Sequence, residues 1–275
     1  TRLHDLFAAE QDAALQEEAG RMLAADPGQP DALHMLAMQA LRRHEPARAI
    51  DLLARARPTP DILTDRGVIL RMTGRAAEAE KSYRAALALA PGHVHAQGNL
   101  GNLLLDQHRL AEAEAAFDTA LTAGPDQPWL LRGRALVALA RAEPAAAEPL
   151  LRRGLRHVPD DPDLHETLAA LLGQNGRTIE AEQHHRAALP RIRDRHRCLG
   201  NLAVLLQTQG RHVEAEASFQ EALAMRPDYA PAHSNLLFSL NYRDDLSAEA
   251  IFAAFRGWDA RHAAAFGARA HAHDD

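Results

Sequence analysis

A proline, an aromatic residue and two small residues return along this chain in steps of 34. Pro91 is followed at that interval by Pro125, Pro159, Arg193 and Pro227. Ala79 leads to Ala113, Ala147, Ala181 and Ala215, and Ala86 to Ala120, Gly154, Ala188 and Ala222. Tyr83 leads to Phe117, Leu151, His185 and Phe219. Self-similarity at a fixed period leaves few folds open, because a unit of this length is one supersecondary element that buries its apolar face only by stacking on its neighbours. Within GRAAEAEKSYRAALALAP, Gly74 ends one helix and an amphipathic helix then runs to the stop at Pro91.

Two helices in each 34-residue unit, with these small and aromatic positions, resemble the tetratricopeptide repeat family. The resemblance implies an all-α tetratricopeptide repeat solenoid, a right-handed superhelix of antiparallel helix pairs. Residues 1–29 are then a partial N-terminal repeat, 30–229 six repeats, 230–266 a half repeat with a terminal junction helix, and 267–275 a flexible tail. First helices are predicted to begin near Asp61, Val94, Pro128, Pro162, His196 and Pro231, several at a proline, whose missing N–H would be unpaired there anyway. Residues 3–26 read as one helix stopped by Asp26-Pro27-Gly28. Ala49 precedes Ala79 by 30 residues, so about one helical turn is missing there. Gly67, Gly101, Ala135, Ala169 and Ala203 mark the closest approach within each pair. Gly74, Gly176 and Gly210 close the turns, where His108 and Arg141-Ala142 stand in other repeats. Arg193 replaces the closing proline and Pro190 arrives early, so 162–195 is expected to be the least regular repeat.

Charge and cysteine usage narrow the functions. The 31 basic residues against 37 acidic ones, a net charge of −6, leave no excess of cations for phosphates, which argues against nucleic acid. No apolar run reaches about 18 residues, so no helix is expected to span a membrane. Cys198 is the sole cysteine; no internal disulfide is possible, and a cytoplasmic protein with one buried, inert thiol is expected. His184 and His185 are adjacent, and neighbouring helical side chains point about 100° apart, so they do not clamp one metal ion. His185, at the place of Tyr83, Phe117 and Phe219, reads as a structural, hydrogen-bonded residue. No catalytic constellation and no metal or cofactor site is expected in these residues.

Function is therefore sought on the first helices, which in this family line the inner surface. One inward column there reads Asp65, Asn99, Gly133, Thr167, Asn201 and Asn235, with Asn102 one turn on from Asn99. An asparagine amide both donates and accepts, matching both halves of a peptide group, so such a column can hold an extended chain without reading its side chains. It resembles the asparagine ladder in the repeat arm of protein O-GlcNAc transferases; a solvated helix face is the alternative. His95, Trp129, Arg132, Arg197 and Gln207 are inward neighbours, and Trp129 either stacks on a ligand or covers the next repeat. The predicted peptide groove thus comprises Asp65, Asn99, Asn102, Trp129, Arg132, Thr167, Asn201, Gln207 and Asn235. A carboxylate-gripping groove is disfavoured, since no first helix carries a lysine.

After Pro227 the pattern changes. Leu237 fills the small-residue position, so a second helix cannot approach it in the usual way. Ser247 can cap a helix in which Ile251, Phe252, Phe255 and Trp258 form an apolar stripe. HSNLLFSLNYRDDLSAEAIFAAFRGWDARHA resembles the junction joining repeat arm to catalytic lobes in bacterial O-GlcNAc transferase-like, SPINDLY-like proteins. That resemblance implies an arm recruiting acceptor proteins for a protein O-glycosyltransferase. UDP-GlcNAc would serve lobes absent from this chain, and those lobes would pack on the 248–263 helix. A free-standing scaffold without enzymatic role is the alternative.

Overall fold

The computed structural model describes residues 2–243 and 245–263; the tail expected at 267–275 lies outside them. The chain divides into two compact units, Thr1–Ala147 and Glu148–Asp275. In chain order the helices are α1 (Arg2–Ala8), α2 (Asp12–Ala25), α3 (Pro30–Arg42), α4 (Pro46–Arg55), α5 (Pro60–Met72), α6 (Ala76–Leu89), α7 (Val94–Asp106) and α8 (Leu110–Ala123). There follow α9 (Pro128–Ala140), α10 (Pro144–His157), α11 (Pro162–Gln174), α12 (Thr178–Ala188), α13 (Arg195–Thr208), α14 (His212–Met225), α15 (Ala230–Leu240) and α16 (Ala248–Trp258), which continues as a π-helical turn, Asp259–Ala263. Among the described residues there is no strand. As the repeat reading expects, within each unit most helices pack mainly on the next in sequence. First helices of neighbouring pairs also touch (α5 with α7, α7 with α9, α11 with α13, α13 with α15), so they form the inner layer of each unit.

Local chemistry explains the helix starts. Pro30, Pro60, Pro128 and Pro162 each stand in the first turn. Thr59 Oγ1 accepts from Ile62 N at 3.2 Å, and Asp161 Oδ1 from Leu164 N at 2.9 Å. The turns within the pairs from α3 to α14 each use one left-handed residue. Gly74, Gly176 and Gly210 have φ of 77°, 76° and 75°; His44, His108 and Ala142 take the same conformation at 61°, 58° and 60° without glycine's freedom.

The expected single helix over 3–26 is instead α1 and α2. Glu10 adopts the same left-handed turn, φ 55°, and neither glycine nor proline marks the break in sequence. The missing turn near Ala49 falls in α4, ten residues long where α6 and α8 have fourteen. In the repeat that loses its closing proline, α12 stops early, at Ala188.

Small residues set the distance between helices. A Cβ on Gly67 would lie 2.4 Å from the Tyr83 ring, and one on Gly101 2.9 Å from the Phe117 ring. A Cβ on Gly133 would also meet Phe117, at 2.4 Å, so that ring is wedged between α7 and α9. Ala79, Ala113, Ala181 and Ala215 are fully buried, and a larger side chain there would force the helices apart.

From α6 onward, a glutamate on each second helix through α14 is held by an arginine from the following pair. Glu80, Glu114, Glu148, Glu182 and Glu216 recur every 34 residues. Arg109 reaches Glu80 at 2.8 Å, Arg177 reaches Glu148 at 2.8 Å and Arg211 reaches Glu182 at 2.6 Å. Arg141 and Arg243 do the same for Glu114 and Glu216, each at 2.7 Å. Arg109, Arg177 and Arg211 stand at helix N-caps, a poor place for a cation beside the positive end of the helix dipole. The first-turn glutamates Glu112, Glu180 and Glu214 offset this by pairing with the same three arginines.

At the C-terminal end Ser247 Oγ caps α16, accepting from Ala250 N at 3.2 Å, and Trp258 Nε1 donates to Ser234 Oγ at 3.1 Å. With Leu237 in the small-residue position, α16 does not close onto α15 as other second helices close onto their partners. A cavity of about 390 Å³ remains, lined by Leu236, Leu237, Ala254 and Gly257 among others.

Candidate functional site

The predicted inward residues separate by unit. In the first unit, Asp65 on α5 is held by His34 Nε2 at 2.8 Å. Asn99 and Asn102 lie half-buried on α7, and among the described residues neither side chain is engaged in a hydrogen bond. Trp129 on α9 stacks on His95, ring centroids 5.6 Å apart and planes at 2°. It covers the preceding repeat, lying over Gly98, where a Cβ would be 2.3 Å from the indole. Gly98 is what lets this ring lie flat on α7. Arg132, half-buried, is on the same helix as Trp129.

His93 shows how the loop before α7 is ordered. Its Nδ1 accepts from Ala96 N at 3.3 Å, so its Nε2 carries the proton and donates to Asp61 at 3.0 Å. Both nitrogens are thus engaged in capping and pairing. Among the described residues no group of three or more His, Cys, Asp or Glu is placed to hold a metal ion.

In the second unit, Asn201 on α13 is exposed and Asn235 on α15 is half-buried. Thr167 is buried and its hydroxyl donates to the Asp163 carbonyl at 2.7 Å, so it presents little to a ligand. Gln207 Nε2 donates to the Asn235 carbonyl at 3.2 Å and to Ser239 Oγ, which ties α13 to α15. Asn235 keeps its side-chain amide for other partners.

His184 and His185 face different neighbours. His165 Nε2 donates to the Pro159 carbonyl at 2.8 Å, which leaves its Nδ1 to accept from His184 Nδ1 at 2.7 Å. His185 is 3 % exposed; burial, then the nearby His184, depress its pKa to about 4, so the ring is neutral at physiological pH. Its Nδ1 lies 3.8 Å from Cys198 Sγ. Burial pushes the Cys198 thiol up to about 12, far from a nucleophile's range.

Sequence reasoning missed a cavity of about 360 Å³ on the inner layer of the second unit, between α11 and α13. Asn201 and His185 line it, with Gln174 and Thr208. Those last two are one 34-residue step apart, which was the available signal. Among the described residues, no helix is long and apolar enough to cross a membrane.

Models of the tetratricopeptide repeat match residues 34–93, 64–128, 128–171 and 162–228, which together run unbroken from 34 to 228. No curated protein matches the chain. Among solved structures, PilF of Pseudomonas aeruginosa is similar with a TM-score of 0.65 and 21 % identity, over 80 % of this chain and 97 % of that one. PilW, a type IV pilus biogenesis factor, gives 0.68 and 20 %, over 75 % and 98 %. A tetratricopeptide repeat protein from Parabacteroides merdae gives 0.67 and 18 %, over 87 % and 96 %. At these identities the likeness is one of fold.

Proposed function

Because the chain belongs to the tetratricopeptide repeat family, we propose that it is a protein-recognition module whose inner helices hold extended segments of partner proteins. The observation that carries this is the set of unengaged amides on the inner layer: Asn99 and Asn102 in one unit, Asn201 and Asn235 in the other. Each amide can donate to a peptide carbonyl and accept from a peptide N–H. Such bonds grip the backbone, so the module tolerates varied sequences, and side-chain selectivity comes from what lies between them.

An array of unstructured peptides screened against the chain tests the reading, with affinities then measured by calorimetry. Each backbone bond contributes about 0.5–1.5 kcal/mol net, so single Asn99→Ala, Asn201→Ala or Asn235→Ala variants weaken binding modestly and the triple variant strongly. Melting temperatures stay near that of the unaltered chain. Unchanged affinity in the triple variant sinks the reading; lost affinity with a collapsed melt assigns the asparagines to the fold.

The finer reading we propose is an arm that recruits acceptor proteins, in the cytoplasm, for a UDP-GlcNAc-dependent protein O-glycosyltransferase of the O-GlcNAc transferase-like, SPINDLY-like kind. Its supports are the resemblance of residues 231–263 and the apolar face of α16, where Phe252 and Phe255 are 63 % and 42 % exposed. Catalytic lobes docked there would cover that face. A free-standing scaffold accounts equally well for the repeats. Assaying the polypeptide the cell makes for GlcNAc transfer to array-selected peptides separates the two; absence of transfer leaves the scaffold.

A further inference from the structure

The cavity between α11 and α13 sits at the position where three of the repeats carry an aromatic ring, Tyr83, Phe117 and Phe219. In the first unit Phe117 fills the space between Gly101 on one first helix and Gly133 on the next. Two repeats on, the residues equivalent to these three are Ala169, His185 and Asn201. All three line the cavity. An imidazole is shorter and smaller than a phenyl ring, and Ala170 and Gly173 add no bulk on the α11 side, so the layer opens inward.

Its size and polarity restrict the occupant. A dry cavity of about 150 Å³ lined by aliphatic and aromatic side chains is enough to hold benzene. The space here, about 360 Å³, is more than that, and its exposed lining is mostly apolar, with Val204 and Leu205 on the α13 side. The one ionisable side chain in the lining, His185, is 3 % exposed and stays neutral at physiological pH. Among the described residues its Nε2 has no hydrogen-bond partner, its Nδ1 being the atom near Cys198. A charged side chain entering this space would lose its water and find no counter-ion. An apolar one sheds no charge hydration and gains from leaving water.

We propose that this cavity is a subsite that takes one apolar side chain, of leucine to phenylalanine size, from a peptide lying on the inner face of the second unit. The ligand supplies the ring or branched chain that His185 does not. Asn201, exposed at the rim, bonds the peptide group beside it. The proposal rests on the peptide-binding reading above and adds a preference the asparagines lack.

The probes are the N-acetyl amides of phenylalanine, leucine, glycine and lysine, titrated into the intact chain while the Ala169 methyl and His185 ring signals are followed by NMR. The phenylalanine and leucine amides shift both signals saturably; the glycine and lysine amides do not. Two variants fill the space from opposite sides. Ala170→Leu starts from an exposed position and leaves the packing alone. His185→Phe restores the residue found at Phe117 and Phe219. Each weakens the phenylalanine amide by about tenfold or more, the loss expected when a side chain of that size is no longer buried. No saturable shift with the apolar amides, an equal shift with the lysine amide, or unchanged affinity in both variants overturns the proposal. Array peptides that bind both variants as tightly as the unaltered chain overturn the subsite while leaving the groove reading intact. Apolar amides that bind when no peptide does leave the subsite and remove the groove.

Discussion

Arg211 Nη1 donates to Glu182 Oε2 at 2.6 Å, joining the second helices of two successive pairs although 29 residues separate the two in sequence. Glu182 is mostly shielded. Burial raises its pKa, but bonds from Arg186 and Arg211 outweigh that and hold it below the usual carboxylate range. The same tie recurs at Glu80, Glu114, Glu148 and Glu216, so neighbouring pairs are held by charge as well as by packing.

Breaking one rung costs little. Glu182→Gln lowers stability by about 0.5–1 kcal/mol in urea denaturation, since a partly exposed pair is screened by solvent. The difference between variant and parent shrinks in 1 M sodium chloride, where the Debye length falls to about 3 Å. A loss that persists in salt would show that packing, and not charge, holds this contact.

Overfilling the helix contacts costs more. Gly67→Ala places a methyl 2.4 Å from the Tyr83 ring and destabilises by about 1–3 kcal/mol. Ala113→Leu and Ala215→Leu, at fully buried positions, do the same. Gly92→Ala is the control, because nothing lies within 4 Å of its added Cβ. Thermal melts of the four variants check the order.

Two turns carry removable strain. His108 and Ala142 take φ of 58° and 60°, a conformation an L-residue adopts at a cost of about 1–2 kcal/mol and glycine adopts freely. His108→Gly and Ala142→Gly each raise the denaturation midpoint, with a net gain of roughly 0.5–1 kcal/mol after glycine's greater freedom in the unfolded chain is counted. A lower midpoint in both would mean the side chains hold the turns.

Acid acts through His185. Its pKa is about 6.5 when unfolded and about 4 when folded, so between those values the unfolded chain binds more protons. Its contribution is complete above about pH 6.5 and is lost as pH falls toward 4, about 3 kcal/mol in all. His184 and His233, whose pKa values burial also lowers, add in the same direction. Urea midpoints at pH 7 and pH 5 measure the loss, and His185→Phe reduces it. A His185 ring that titrates near 6.5 by NMR contradicts the assignment.

What the sequence determined by itself is the repeat and its local grammar. Gly74, Gly176 and Gly210 needed only their own backbone to be read as turns, and Pro60, Pro128 and Pro162 only their own rings to be read as helix starts. The small residues facing Tyr83 and Phe117 were legible because a fixed period brings the same partners together in every copy. Tertiary structure decided whatever depended on a neighbour's exact shape. The break at Glu10 left no mark because a left-handed residue need not be glycine. Thr167 and Asn201 hold equivalent places, yet one is buried and the other exposed, because the side chains around them differ. Gln207 reads as a groove residue, and that its amide nitrogen ties α13 to α15 was not legible, since an amide's partner is chosen by distance in space. His185 read as structural, and it is buried; that its smaller ring also leaves a cavity depends on Ala169 and Gly173 being small on the helix opposite. Periodicity carries information about contacts that repeat, whereas volume and hydrogen-bond pairing are set by the particular residues that meet.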